Sequence, residues 1–123
     1  MSRKVNVTAI TDFVEQQSDA ENHRFVFSYT ITIENDSDSE FQLLSRHWVI
    51  QDANRKVEEV YGEGVIGEQP VIKPGESYTY TSGAVLETEM GTMEGRYFMI
   101  NKSKNEFEVP IPKFVLSVPR TLH

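Results

Sequence analysis

The sequence predicts an all-β sandwich of about seven strands, and three observations predict it. Apolar residues recur at every second position along most of the 123-residue chain, the period of a strand with one buried face. No window carries the three-to-four-residue apolar stripe of an amphipathic helix. Turn-forming clusters interrupt the alternating runs at the short intervals of sandwich folds.

Taken in order, Val5, Val7, Ala9, Thr11 and Phe13 give a first, weak alternation. Asp12 to Asn22 holds helix formers but almost no apolar stripe, and reads as a polar loop. Phe25, Phe27, Tyr29, Ile31 and Ile33 form the clearest strand, alternating with Val26, Ser28, Thr30 and Thr32, which are mostly small and polar. Asn35-Asp36-Ser37-Asp38-Ser39 is a turn cluster. Leu44, Trp48 and Ile50 share a phase within Phe41 to Ile50, and Asp52-Ala53-Asn54 ends that run. Val57 to Tyr61 is a candidate strand, followed by a long loop from Tyr61 to Pro74 in which Val71-Ile72 is too short to be a helix.

Pro74-Gly75 suits a tight turn, since proline fixes its own φ and glycine accepts a positive one. Tyr78 and Tyr80 alternate with Ser77, Thr79 and Thr81. Lys102-Ser103-Lys104-Asn105 closes a hairpin between Ile100 and Phe107. The apolar phase then switches, from Phe107, Val109 and Ile111 to Phe114, Leu116 and Val118, with Pro110 and Pro112 at the switch. Proline cannot donate to a ladder, so this segment is expected to be an edge or bulged strand. Without repeats, low-complexity tracts or linkers, residues 1–123 read as a single domain. Trp48, the only tryptophan, falls where an immunoglobulin-type sandwich keeps its core tryptophan.

Composition narrows the function. The absence of cysteine removes disulfides, thiol nucleophiles and thiolate metal sites. The net charge of −7 argues against nucleic acid, whose binding draws on basic side chains that release phosphate counterions. A C-terminal segment with Lys102, Lys104, Lys113 and Arg120 could form only a small basic patch. No apolar run reaches the length of a signal sequence or a membrane span, so a cytoplasmic protein without membrane contact is expected.

The run Gly62-Glu63-Gly64-Val65-Ile66-Gly67-Glu68-Gln69-Pro70, with Lys73-Pro74-Gly75-Glu76, Tyr80-Thr81-Ser82-Gly83, Gly91-Thr92-Met93-Glu94-Gly95-Arg96-Tyr97, Ile111-Pro112-Lys113-Phe114 and Arg46-His47-Trp48, resembles the ApaG family, also called CorD. Each motif is weak; their order and spacing together are specific. The resemblance implies an immunoglobulin/fibronectin type III-like β-sandwich. It also implies a link to cobalt tolerance and magnesium efflux, and kinship with domains of F-box proteins and of a polymerase-delta-interacting protein that serve protein recognition. It names no reaction, and a sandwich hosts many unrelated activities.

Gly62-x-Gly64-x-x-Gly67 invites a nucleotide reading, but a dinucleotide fold needs a helix directly after these glycines. Pro70 and Pro74 exclude one. A looser phosphate nest of converging amides is the alternative, with Arg46 or Arg96 as charge partner. Against it stand Glu63 and Glu68, whose charge repels phosphate unless a divalent metal intervenes. The plainer reading is that the glycines supply positive φ and close backbone approach.

Asp36-x-Asp38-x-Glu40 begins like a calcium loop, yet Phe41 stands where that loop needs glycine and His47 where it needs glutamate. His23, His47 and His123 show no ligand spacing, so no metal site and no cofactor is expected. Ser45, Ser77 and Ser82 lack a nucleophile elbow, and Glu58-Glu59 and Glu87-Thr88-Glu89 read as solvated carboxylates. No catalytic residue is expected. Tyr97, after Gly95, reads as the structural tyrosine of a tyrosine corner.

The expectation is therefore a non-enzymatic binding module for a protein partner. Its contact is placed on an exposed strand edge or on the Tyr61–Pro74 loop, with Val65 and Ile66 as an apolar tip. The alternative is a small-molecule sensor binding polyphosphate or pyrophosphate at Gly62, Gly64 and Gly67. Burial of Val65 and Ile66 favours the sensor; their protrusion favours the partner.

Overall fold

A computed structural model describes residues 4–119. Its strands are β1 (Val5–Phe13), β2 (Phe25–Asn35), β3 (Phe41–Asp52), β4 (Val57–Glu63), β5 (Val71–Ile72), β6 (Ser77–Leu86), β7 (Met90–Asn101) and β8 (Glu106–Ser117). They form two antiparallel sheets packed as a sandwich. One has the order β1-β2-β6; the other has β4-β3-β7-β8, with β5 added beside β3. The described strands number eight rather than about seven. The extra one is β5, whose two residues pair with Phe41 and Gln42 and are too few to show a period.

The alternation in β2 becomes burial. Phe27, Ile31 and Ile33 are fully buried, and Trp48, Tyr97, Met99 and Leu116 meet them from the opposite sheet. Each large apolar side chain hidden this completely is worth about 1.5–3 kcal/mol over exposure. The polar stretch after β1 contains two short 3₁₀ turns, Glu15–Gln17 and Ala20–Asn22. It caps the outer face of β2: the Val14 amide donates to the Val26 carbonyl at 2.8 Å, and the Val26 amide donates to Ser18 Oγ at 2.9 Å. This explains why Val26 is buried although it faces away from the core.

Two bulges set the faces. In β8 the pairing slips between Met93–Phe114 and Gly95–Ile111, so the extra residue lies at Pro112-Lys113. Val109 and Ile111 before it, and Leu116 after it, are all buried, as the phase switch and the prolines required. In β3 the slip lies between Leu43 and Ser45. Leu44 is therefore the bulged residue, and it does not share the inward phase of Trp48; Phe41 and Leu43 do the packing on its N-terminal side.

Asn35 is fully buried and fully bonded. Its amide nitrogen donates to the carbonyls of Ile72 at 2.9 Å and Ser39 at 3.0 Å, and its side-chain oxygen accepts from the Ser37 amide at 2.9 Å. It ties the β2–β3 turn to β5. Among the described residues no helix is long and apolar enough to cross a membrane.

Candidate functional site

The Leu44 bulge positions the glycine-rich segment. Its carbonyl accepts from the Gly64 amide at 2.8 Å and from Gln69 Nε2 at 2.8 Å, which holds both ends of the loop against β3. Between them, the Val65 amide donates to the Glu68 carbonyl at 2.8 Å and the Glu68 amide returns to the Val65 carbonyl at 2.9 Å. Ile66 and Gly67 are thus the two central residues of a tight turn, with φ of 42° and 79°. Positive φ at both positions is the signature of a type I′ turn, which favours Asn-Gly. Glycine fits; a β-branched residue is out of place there.

The three glycines do three different jobs. Gly62 lies inside β4, opposite Arg46, and a Cβ there would sit 2.7 Å from Arg46 Nη1. Gly64 has φ +61, and a Cβ added there would collide with the Glu68 carbonyl oxygen. Gly67 needs only its positive φ, since nothing stands within 4 Å. Val65 and Ile66 part company: Val65 is buried at 1% exposure, whereas Ile66 is 58% exposed.

Of the two candidate charge partners, Arg46 and Arg96, only Arg46 reaches the loop. Its Nη1 donates to the Gly64 carbonyl at 2.7 Å and to the Glu63 carbonyl at 3.2 Å. Arg46 pairs with Tyr97, and Arg96 pairs with His47. One residue of offset places Arg96 on the other face of the sheet, where it bonds Glu108 at 3.1 Å and lies 5.5 Å from the Phe98 ring centre. His47 shares that outer face, stacked on Tyr61 with ring centres 4.0 Å apart and with Nε2 2.9 Å from Glu59 Oε1. Among the described residues no group of three His, Asp or Glu side chains is gathered to hold a metal; His123 lies outside them.

Beside this loop the two sheets stand apart. A cleft of about 400 Å³ opens between β4 and β6, lined by Arg46, Trp48 and Val60 on one wall and by Tyr80 and Ser82 on the other. Val65 and Ile66 border it at the turn. A smaller recess extends it toward Lys56 and Glu87, which pair across the two edges at 2.9 Å. Near the turn, Tyr78 Oη donates to Glu68 Oε2 at 2.7 Å. Desolvation, and then the bond to the Glu68 carboxylate, push the Tyr78 pKa up to about 12.

The cleft wall contains two polar features that spacing could not show. Tyr80 and Tyr97 hydrogen-bond to one another through their hydroxyls, and burial drives both phenol pKa values upward. Tyr97 thus reaches across to the other sheet instead of bonding backbone on its own side, so it is not a tyrosine corner. Trp48 is 2% exposed, and its indole Nε1 has no hydrogen-bond partner among the described residues. The indole N–H can only donate, and a buried donor left unpaired is costly. Tyr78 and Tyr80 were visible in sequence as an alternating pair, but nothing in their spacing signalled a second tyrosine across the layers.

Comparison with known proteins agrees with this architecture. The profile of the ApaG domain family matches residues 15–101. The chain is 50% identical over 120 residues to protein ApaG of Dechloromonas aromatica (strain RCB), covering 98% of this chain and 94% of that one. It is 53% identical over 122 residues to protein ApaG of Xylella fastidiosa (strain M12), covering 99% and 96%. A crystal structure of a Bordetella pertussis protein described as ApaA superposes with a TM-score of 0.93 at 43% identity, over 97% of each chain.

Proposed function

The chain belongs to the ApaG family, and from that premise we propose that it is a non-enzymatic, single-domain, cytoplasmic module that recognises another protein through the β4/β6 side of its sandwich. The observation that carries this reading is Ile66. A β-branched apolar side chain is held more than half exposed, at φ 42°, on the tip of a tight turn. Left-handed backbone costs a residue of this kind roughly 1–2 kcal/mol. Strain of that size persists where function requires it. A contact surface for a partner gives both the exposure and the strain a purpose.

The neighbouring edge supports the same side. Among the described residues β6 pairs only with β2, its register has no irregularity, and Ser77–Leu86 contains no charge and no proline. Natural sheets usually protect a free edge with one of these devices. A bare edge of ten residues offers unpaired amides and carbonyls for strand addition. β4 differs, because Glu58, Glu59 and Glu63 blunt it.

The phosphate-sensor reading has thinner support. The Gly64, Val65 and Glu68 amides are already bonded, and Nη1 of Arg46 is held by carbonyls. The Ile66 and Gly67 amides, with no backbone acceptor among the described residues, are what remain for an anion.

The protein-recognition reading is tested by placing a photo-crosslinking amino acid at position 66 or at position 115 in cells. Val115 is 52% exposed and lies on β8, on the opposite side. A discrete adduct from position 66 and none from position 115 is expected. Identical labelling from both positions, or none from either, would overturn the reading.

A further inference from the structure

We propose, resting on the protein-recognition reading above, that the free edge of β6 takes up an extended segment of the partner as an added antiparallel strand. The segment opens with a basic residue and continues with apolar residues at every second position. The Asn35 amide donates to the Glu76 carbonyl at 3.0 Å, and bonded and non-bonded pairs alternate along an antiparallel ladder. The bonded pairs between β2 and β6 are therefore Ile33–Tyr78, Ile31–Tyr80, Tyr29–Ser82, Phe27–Ala84 and Phe25–Leu86. On its other side β2 uses the opposite parity, since the Val14 amide donates to the Val26 carbonyl. Ser77, Thr79, Thr81, Gly83 and Val85 thus turn their amides and carbonyls to the free edge, and all are exposed. Among the described residues no turn or loop backbone bonds to them.

Residues opposite one another in an antiparallel pair point to the same face. A strand added to β6 therefore sends alternate side chains inward, opposite Tyr80, Ser82 and Ala84. They enter the cleft of about 400 Å³ beside Ile50, Val60, Val65 and Met93, which favours apolar side chains there. The Tyr78–Glu68 and Lys56–Glu87 links close the cleft near its ends, leaving residues 79–85 as the open stretch. Its Val85 end is acidic: Asp52, Glu58 and Glu87 line the recess there, beside Lys56. An antiparallel segment enters at that end, so its first inward residue is Lys or Arg. A second copy of this chain fits badly. Its own Tyr80 and Ala84 are buried under its other sheet and cannot fill a neighbour's cleft.

The isolated protein is screened against random peptides displayed on yeast, each long enough to span residues 79–85. An enriched peptide is then synthesised and titrated while ¹H–¹⁵N spectra are recorded. Enriched peptides are expected to share the order basic, any, apolar, any, apolar, and to shift the amides of Thr79, Thr81 and Gly83. N-methylation of the peptide residues that bond β6 needs no change in the protein and should abolish binding. Thr81→Pro removes a free donor without touching the β2 ladder, and should weaken binding about tenfold. Glu58→Lys should erase the preference for the basic residue, a factor of about three. Any of these results overturns the inference: no enrichment, enriched peptides without the alternation, a methylated peptide that binds equally well, or shifts confined to the Ile66-Gly67 turn. Each leaves the crosslinked adduct from position 66 intact and so sinks the strand geometry alone. Loss of that adduct sinks protein recognition on this side, and this inference with it.

Discussion

On one long side of the sandwich β1 and β8 pack together, and Thr11 Oγ1 donates to the Val115 carbonyl at 3.4 Å. On the other side β4 and β6 stand apart over a cleft of about 400 Å³, joined near its ends by Lys56–Glu87 and Tyr78–Glu68. The first side also has a groove, about 300 Å³ at the β8 bulge, lined by Val7, Ala9, Ile111 and Phe114 among others. Yet the strained isoleucine falls on the second side. A sequence under selection for stability alone removes such a conflict, so its place beside the cleft marks where function opposes folding.

The largest expected contrast comes from truncating side chains on each side. Leu116 on β8 is fully buried, and Leu116→Ala should lose about 3–4 kcal/mol, the transfer of the side chain plus an unfilled cavity. Val60 is only part-buried and already borders the cleft, so Val60→Ala should lose about 1 kcal/mol or less. Urea denaturation of both variants measures the difference. Equal losses would mean that the cleft closes in solution.

Alkaline titration sharpens the comparison next. Tyr78, Tyr80 and Tyr97 all belong to the cleft side, and their folded pKa values are raised above 10. The unfolded chain therefore releases these protons first, and the stability they contribute is complete below pH ~10 and declines above it. Tyrosinate absorbance and far-ultraviolet dichroism should change together above that pH. Tyrosinate forming at Tyr97 within an intact sheet would contradict the tight Tyr80–Tyr97 pairing.

The smallest effect has the opposite sign. Ile66→Asn creates the Asn-Gly pair that a type I′ turn prefers and should raise stability by about 1 kcal/mol, seen as a later urea midpoint. A variant that is more stable but no longer engages a partner would show that the isoleucine is retained for contact. A loss of stability would mean that Ile66 packs against the cleft strongly enough to outweigh its backbone strain.

The two sides also differed in how far the sequence revealed them. β2 was plain because five large apolar residues keep one parity, and the β8 bulge because two prolines mark a parity change. The Leu44 bulge carries no such mark: Leu43 and Leu44 are both apolar, so either could be the inward residue. The glycine pattern identified the right segment but not its division of labour. Gly62 belongs to a strand, and Val65 and Ile66 have opposite exposure because a two-residue turn separates neighbours as sharply as a strand does. The cleft was invisible, since it arises from how far apart two edges of different sheets come to rest. Trp48 was legible as a core residue, but the fate of its N–H depends on the whole of the opposite wall.

The Leu44 bulge gives β3 a fixed gauge. Upstream of it the odd-numbered residues Phe41 and Leu43 face the core; downstream the even-numbered Arg46 and Trp48 do. Removing one residue here would exchange insides for outsides along the rest of the strand. Trp48 would turn toward water, His47 toward the core, and the Leu44 carbonyl would no longer anchor the glycine segment. Length change is therefore forbidden at a position where the choice of side chain is comparatively free. The Lys102–Asn105 turn, fully exposed, has the reverse character and can lengthen without transmitting parity into either sheet.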